Sequence, residues 1–331
     1  MTENTNIFDA DSGEFRPLGG PVSEDAAGLR VDGYLSTNFP FYSRATWQRK
    51  LSQGRVLIDG VSVKPSYRIH CGQVIEIYHP RQDEPEVSTD ISPIWKKGNV
   101  MAVFKPGNLP MHENGPYRKN TFAHLVTETF GEGWAAVHRL DRETSGIVLC
   151  GKTHDVRQRL SRSLESRTLG KEYTAIVKGV PKQPSWTIEG PIGDLEDSKI
   201  RIKKWVVPDG QSAETDFMLE ESAHGYSMIK AYPKTGRTHQ IRIHAAYSGH
   251  ALVGDITYHP DESVFLEWFE SGKTDWVKKS AGFDRCLLHA TSVTFVHPET
   301  EELCRVACPV PDDMMGFWRS LTETSNAKLR I

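Results

Sequence analysis

The sequence predicts an α+β protein, a small N-terminal α/β unit followed by a larger domain on a mostly antiparallel mixed sheet. Three observations carry that prediction. Short apolar runs outnumber segments of helical periodicity, and they recur as hairpins rather than as β-α-β units. A polar stretch containing Pro80, Asp83-Glu84-Pro85-Glu86 and Pro93 breaks the pattern and reads as a linker over 81–93. The chain has 331 residues, room for one large domain beside a small one. At 38% hydrophobic and 25% charged residues it is an ordinary globular composition, which excludes fibrous and wholly disordered classes.

Residues 1–27 carry Glu3, Asp9, Asp11, Glu14, Glu24 and Asp25 against Arg16, with Gly19-Gly20-Pro21 and no hydrophobic periodicity. They are expected to form a disordered acidic tail. Residues 28–80 form the small unit. Ser43 is a suitable N-cap for a helix through Leu51, with Gly54 ending it. Arg55 to Val63 reads as strand, Asp59-Gly60 turn, strand, and Gly72 to Ile77 as a closing strand. Arg44, Arg49, Lys50 and Arg55 gather at the helix–strand junction. A helix and small strands carrying such cations suit a folded RNA backbone, although a solvated basic face is the plainer reading.

The large domain spans 94–331. Val100 to Phe104 is a strand ending at Lys105-Pro106-Gly107. Thr121 can cap a helix ending at Gly131. His154 to Arg167 places Val156, Leu160 and Leu164 four residues apart, an amphipathic helix with Arg157, Arg159, Arg162 and Arg167 on its polar side. Lys199 to Lys203 alternates as a half-exposed strand. Trp134 to Val137 and Ile147 to Cys150 are apolar, and between them lies a tight polar turn.

Several functions are excluded early. No apolar run approaches the roughly 20 residues of a membrane helix. The acidic N-terminus lacks the plan of a secretory signal. Cys71, Cys150, Cys286, Cys304 and Cys308 are odd in number and scattered, as expected of reduced thiols in the cytoplasm. Cys304 and Cys308 have no second ligand pair nearby, and His239 and His244 would stand about 140° apart on a helix. Neither a metal nor a cofactor is expected. The net charge of −3 does not exclude a nucleic-acid partner, because residues 222–254 hold Lys230, Lys234, Arg237 and Arg242 with no acid.

The polar turn is His138-Arg139-Leu140-Asp141-Arg142-Glu143-Thr144-Ser145-Gly146. It sets one carboxylate, Asp141, between two arginines. Opposite charge nearby favours an ionised carboxylate, the form that attacks carbon or accepts a proton. A turn aspartate salt-bridged to its neighbours is the commoner meaning of such a loop. The full nine-residue string points elsewhere. It resembles the H-R-L-D-x-x-T-S-G catalytic segment of the RluA family of RNA pseudouridine synthases. The similarity runs from about Arg30 to Pro311, through Lys171-Glu172-Tyr173-Thr174-Ala175-Ile176-Val177-Lys178-Gly179, Lys234 to His244, Gly249 to Asp255 and Leu287-Leu288-His289-Ala290.

The resemblance implies an isomerase acting on RNA, with its cleft across a mixed central sheet. It implies Asp141 as the nucleophile, Arg242 as its cationic partner and Tyr173 packed against the target base. Arg139 would fill the space left by a flipped-out nucleotide, and Arg237 and His239 would support the site or touch phosphate. Leu288 would line the uracil pocket, while Thr144, Ser145 and Gly146 shape the loop. Attack at the sugar carbon 1′, addition to ring carbon 6 and a glycal route all remain open for Asp141. The 28–80 unit resembles the RNA-binding module first named in ribosomal protein S-four, in Ser43-Arg44, Gly54-Arg55-Val56, Asp59-Gly60 and Gly72-Gln73-Val74-Ile75. It departs at Arg30-Val31-Asp32-Gly33, where R-L-D-K is usual.

Two rivals stand beside this reading. An Asp-dependent hydrolase or phosphatase wants a second acid two residues on with bound magnesium; Glu143 has that offset, but Leu140 and Thr144-Ser145-Gly146 do not suit it. A non-catalytic RNA-binding or ribosome-assembly factor would not need Asp141, Tyr173 and Arg242 together. The expected substrate is ribosomal RNA, the large subunit favoured, or transfer RNA, and the expected state is a monomer with no membrane contact.

Overall fold

In the computed structural model, which describes residues 13–40, 42–80, 84–165, 170–200 and 203–328, the chain separates into two units, Met1–Asp83 and Glu84–Ile331. The first contains β1 (Gly13–Pro17), α1 (Val31–Asn38), α2 (Arg44–Ser52), β2 (Val56–Ile58), β3 (Val61–Ser62) and β4 (Ile75–Pro80). Its sheet order is β1-β4-β2-β3. Ser43 caps α2 by accepting the Thr46 N–H at 3.2 Å. Asp59 and Gly60 both take positive φ, 49° and 76°, as the tight turn between β2 and β3 requires. Trp47, Leu51, Val31, Leu35, Val56 and Ile69 fill the core between helices and sheet.

Two boundaries differ from the sequence expectation. Residues 13–27 are not part of a disordered tail: β1 lies antiparallel on β4, and Val22 is buried in the core. An edge strand is held by main-chain hydrogen bonds, so it needs no apolar alternation to form. Residues 1–12 lie outside the described residues. The linker expected over 81–93 is also shorter. Its residues 81–83 are outside the described set, but Glu84 accepts the N–H groups of Lys119 and Asn120, and Val87 and Ile91 pack on the large unit's core.

The large unit begins with β5 (Ser92–Lys97), β6 (Val100–Lys105), α3 (Phe122–Phe130), β7 (Ala135–Ala136), β8 (Ser145–Gly151), α4 (His154–Glu165) and β9 (Gly170–Lys178). Next come β10 (Ser185–Glu189), β11 (Ile192–Asp194), β12 (Lys204–Val206), β13 (Glu214–Ala223) and β14 (Tyr226–Pro233). The chain closes with α5 (Gln240–Tyr247), α6 (Ser263–Ser271), α7 (Asp275–Ala281), β15 (Leu288–Val296), β16 (Leu303–Ala307) and α8 (Asp312–Lys328). The main sheet runs β10-β13-β14-β9-β15-β8-β6-β5, with β7 on β8 and β16 on β15. Its described pairings are antiparallel apart from β15 on β8. The α+β class is therefore the observed one.

The central strands are apolar on both faces because both faces are covered. Met101, Val103, Val148 and Cys150 pack with Phe122 and Val126 of α3. Val100, Ala102, Ile147 and Leu149 pack with Val156 and Leu160 of α4. A strand buried on both sides reads as a continuous apolar run, which is how β6 and β8 look in the sequence. Thr121 caps α3 and Gly131 ends it, at φ 88°. Two arginines of α4 serve the fold: Arg157 donates to the Gly133 and Lys152 carbonyls at 2.7 and 3.0 Å, and Arg159 to that of Pro298 at 2.9 Å. Arg167 is outside the described residues. So are residues 201 and 202 of the strand expected at 199–203; its described residues are not in a strand, and β12 begins at Lys204.

Candidate active site

Asp141 sits in the loop between β7 and β8, and three buried attachments set that loop's shape. Lys105, at the end of β6, is fully buried and donates its ammonium hydrogens to the carbonyls of Pro106, Arg142 and Thr144 at 2.9, 3.1 and 2.8 Å. Burial pulls its pKa down to about 7, while the charge of Asp141 pulls the other way. His138 accepts the Leu149 N–H of β8 at 3.0 Å, and burial pushes its pKa down to about 3, so the ring stays a neutral acceptor. Glu143 accepts the Cys286 N–H at 2.9 Å, and its own carbonyl accepts from Arg285 at 3.2 Å.

The cationic partner comes from α5. Gln240 braces the turn before it by accepting from the Arg237 N–H at 3.0 Å and from the Thr235 hydroxyl at 2.6 Å. His239 is the N-cap, in the left-handed region at φ 58°. One turn on, Arg242 donates from Nη1 to Asp141 Oδ2 at 3.1 Å. Its Nε and Nη2 are held by Asp255 at 2.6 and 2.9 Å, a bidentate grip. Burial opposes the charge on Arg242, but Asp255 and Asp141 outweigh it and hold the pKa well above the ordinary value. Burial likewise opposes the charge on Asp255, and Arg242 keeps that carboxyl below its usual range. Asp255 also accepts the N–H groups of Thr257 and Tyr258, and the Tyr258 ring lies 5.1 Å from the guanidinium.

These groups open on a cavity of about 510 Å³, lined among others by Arg139, Asp141, Lys171, Tyr173, Arg242 and Leu288. That volume suits one nucleotide-sized ligand. Tyr173 is half-buried; burial, and then the charge of Asp141, raise its hydroxyl pKa, so the phenol stays protonated. His239 also lines the cavity, with Nε2 3.9 Å from Asp141 and Nδ1 2.9 Å from the Tyr258 hydroxyl. Burial and the neighbouring Arg242 lower its pKa. Arg237 is exposed on the lining and donates to the Ser212 carbonyl at 3.1 Å. Arg139 is exposed, and no described residue hydrogen-bonds its guanidinium. The structure thus gathers Asp141, Tyr173, Arg242, Arg139, Arg237 and His239 around one cavity.

In the small unit, Arg49, Lys50 and Arg55 stand close enough for the two arginines to depress the lysine, after burial itself. Lys50 also lies 4.5 Å over the Tyr42 ring. Arg44, exposed like the solvated face the sequence suggested, is nonetheless paired. It is bound with Arg30 and Gln48 to the buried Asp32, at 3.2 Å for the closest Arg44 approach. Asp32 neutralises part of that charge and orients both arginines.

Sequence reasoning missed Asp255, Lys105 and His138. Asp255 ends the Gly249–Asp255 string, which carried no assigned chemistry. Lys105 had one available signal, a lone lysine closing an otherwise apolar strand. His138 stood at the head of the nine-residue string, but its role was not readable there because it depends on β8 lying alongside.

Comparison with known proteins agrees with the motifs. Residues 99–247 match the family model described as RNA pseudouridylate synthase. The chain is 30% identical over 311 residues to an uncharacterised RNA pseudouridine synthase, YlyB, of Bacillus subtilis (strain 168), covering 91% of this chain and 96% of that one. It belongs to the RluA family of RNA pseudouridine synthases. The synthase is also 29% identical to ribosomal large subunit pseudouridine synthase C of Pasteurella multocida, across 92% of this chain and 94% of the other. Against ribosomal large subunit pseudouridine synthase D of Vibrio cholerae the identity is 30%, over 93% and 95%. Among solved structures, human RNA pseudouridylate synthase domain containing 1 superposes with a TM-score of 0.55 at 22% identity, over 69% of the synthase and 86% of that chain. That likeness shows the fold. Among the described residues, no group of three His, Cys, Asp or Glu could hold a metal, and no helix is long and apolar enough to cross a membrane.

Proposed function

We propose that the synthase converts a uridine of large-subunit ribosomal RNA to pseudouridine, as a cytoplasmic monomer, with Asp141 as the reacting carboxylate. The observation that carries this reading is the chain of charges Asp141–Arg242–Asp255 on the cavity lining. The reaction breaks the N1–C1′ bond, turns the uracil and joins C5 to C1′; the C5 proton leaves to solvent and N1 gains one. No oxidant, reductant or net water is needed. Arg242 holds the carboxylate in place and charged, and Asp255 keeps the arginine aimed. Tyr173 offers the base a ring to pack on. Arg139, which no described residue hydrogen-bonds, fills the space the flipped nucleotide leaves. Arg237 and His239 border the phosphates. The ribosomal substrate is supported by the names of the relatives, synthases C and D of the large ribosomal subunit. The small unit, similar in motif to the ribosomal-protein module, grips the RNA backbone through Arg49, Lys50 and Arg55, with Arg44 set in position by Asp32.

The test is pseudouridine mapping of RNA from cells with and without the gene, rescued by wild type or Asp141→Ala. A site lost on deletion, restored by wild type and not by the variant, is the expected result. In vitro the variant should fall below about a thousandth of the wild-type rate with RNA binding nearly unchanged. A rescue by Asp141→Ala would remove the carboxylate from the mechanism.

A further inference from the structure

Cations line the cavity unequally. Arg242 is shared between two carboxylates, and Lys234 is paired with Asp216 at 2.7 Å. Arg237 donates to a main-chain carbonyl. Arg139 has no hydrogen-bonding partner among the described residues but is exposed, so water solvates it. Lys171 fits none of these descriptions. It projects from β9 into the cavity lining and is half-buried, and no described residue hydrogen-bonds or ion-pairs its ammonium. Its Nζ lies beside Gly236, 3.8 Å from where a Cβ on that glycine would stand. Burial lowers its pKa with no carboxylate to oppose the shift. A cation partly withdrawn from water without a counter-charge is less favourable than one that an anion completes.

Lys171 and Tyr173 are two residues apart on one strand, hence on the same face and about 7 Å apart. Beside Lys171 runs the turn Thr235-Gly236-Arg237, where glycine leaves main chain open to close approach. We propose that Lys171 is a positioning residue that binds a phosphodiester group of the substrate strand next to the nucleotide packed on Tyr173. The assignment rests on the reading of the cavity as the uridine site. Lys171 thereby sets the depth to which the nucleotide enters, and it gains the counter-ion the protein withholds.

The experiment compares wild type, Lys171→Met and Lys171→Arg on RNA from gene-deleted cells labelled with [5-³H]uridine, following tritium release across a salt series. Lys171→Met should raise KM about tenfold or more with a smaller change in kcat, and reduce the slope of log K against log salt by about one. Lys171→Arg should recover most of the affinity and the salt slope. A merely structural lysine would lower thermal stability without moving the slope. An unchanged KM and slope in a folded Lys171→Met, with wild type active, overturns the inference. No tritium release by wild type would overturn the uridine-site reading and this proposal with it.

Discussion

At the scale of single residues, the site is a chain of opposite charges whose far end is the least visible. Asp141 and Arg242 were legible because each stands in a string with its own chemical sense. Asp255 was not, because an aspartate after Val-Gly carries no local sign that it will face a guanidinium thirteen residues earlier. Removing it leaves Arg242 buried with a single partner. Asp255→Ala should destabilise the protein by about 3–5 kcal/mol and lower kcat by about a hundredfold or more, because the arginine loses its aim at Asp141. Melting temperature and single-turnover rate together check this. A variant that melts with wild type and turns over at full rate would show that Arg242 needs no second carboxylate.

At the scale of elements, the Asp141 loop is held by β6, β8 and β15 more than by its own residues. Lys105 from β6 donates to two of the loop's carbonyls, those of Arg142 and Thr144, and His138 straps the loop to β8. The parallel pairing of β8 with β15 depends on Gly146, at φ 120°, where a Cβ would lie 2.4 Å from the Ala290 carbonyl oxygen and 2.5 Å from its nitrogen. No side chain can shift to relieve a clash with backbone. Gly146→Ala should therefore cost more than about 3 kcal/mol, read as a lower urea midpoint, and should reduce activity even where the protein stays folded. Wild-type stability in that variant would mean the strands separate without penalty. The helix starting at Ser43 and the helix between Thr121 and Gly131 were readable from capping residues. The strand β1 was not, since main-chain pairing leaves little pattern in the side chains.

At the scale of the whole molecule, buried imidazoles tie stability to pH. Burial lowers the pKa of His289 to about 4 and that of His138 to about 3. Below the ordinary value near 6.5 the unfolded chain takes up protons that the folded chain refuses. Stability is fully present above that pH and is lost as pH falls toward 4 and 3, by roughly 2 kcal/mol for each imidazole at pH 5. Urea titrations at pH 7.5 and 5 measure it, and equal midpoints would show that both rings charge freely in the fold. The two units divide at Asp83 and Glu84. A chain beginning at Glu84 should fold, bind RNA more weakly and show a shallower salt dependence. The log–log slope should fall by about 0.7–0.9 for each phosphate that the small unit's cations neutralise. An unchanged slope would take those cations out of RNA binding.

The chain by itself determined the class of fold and the three strings that carry Asp141, Arg242 and Tyr173. Those properties are written in short strings: capping residues, apolar runs and motifs a few residues long. Tertiary structure alone decided that Asp255 aims Arg242, that Lys105 and His138 hold the loop, and that Arg44 shares Asp32 with Arg30. Each of these is a pairing with a group that burial has removed from water: Asp255, Lys105, His138 and Asp32. A buried charge or acceptor takes whatever partner the fold brings within about 3 Å, and sequence separation does not record that distance.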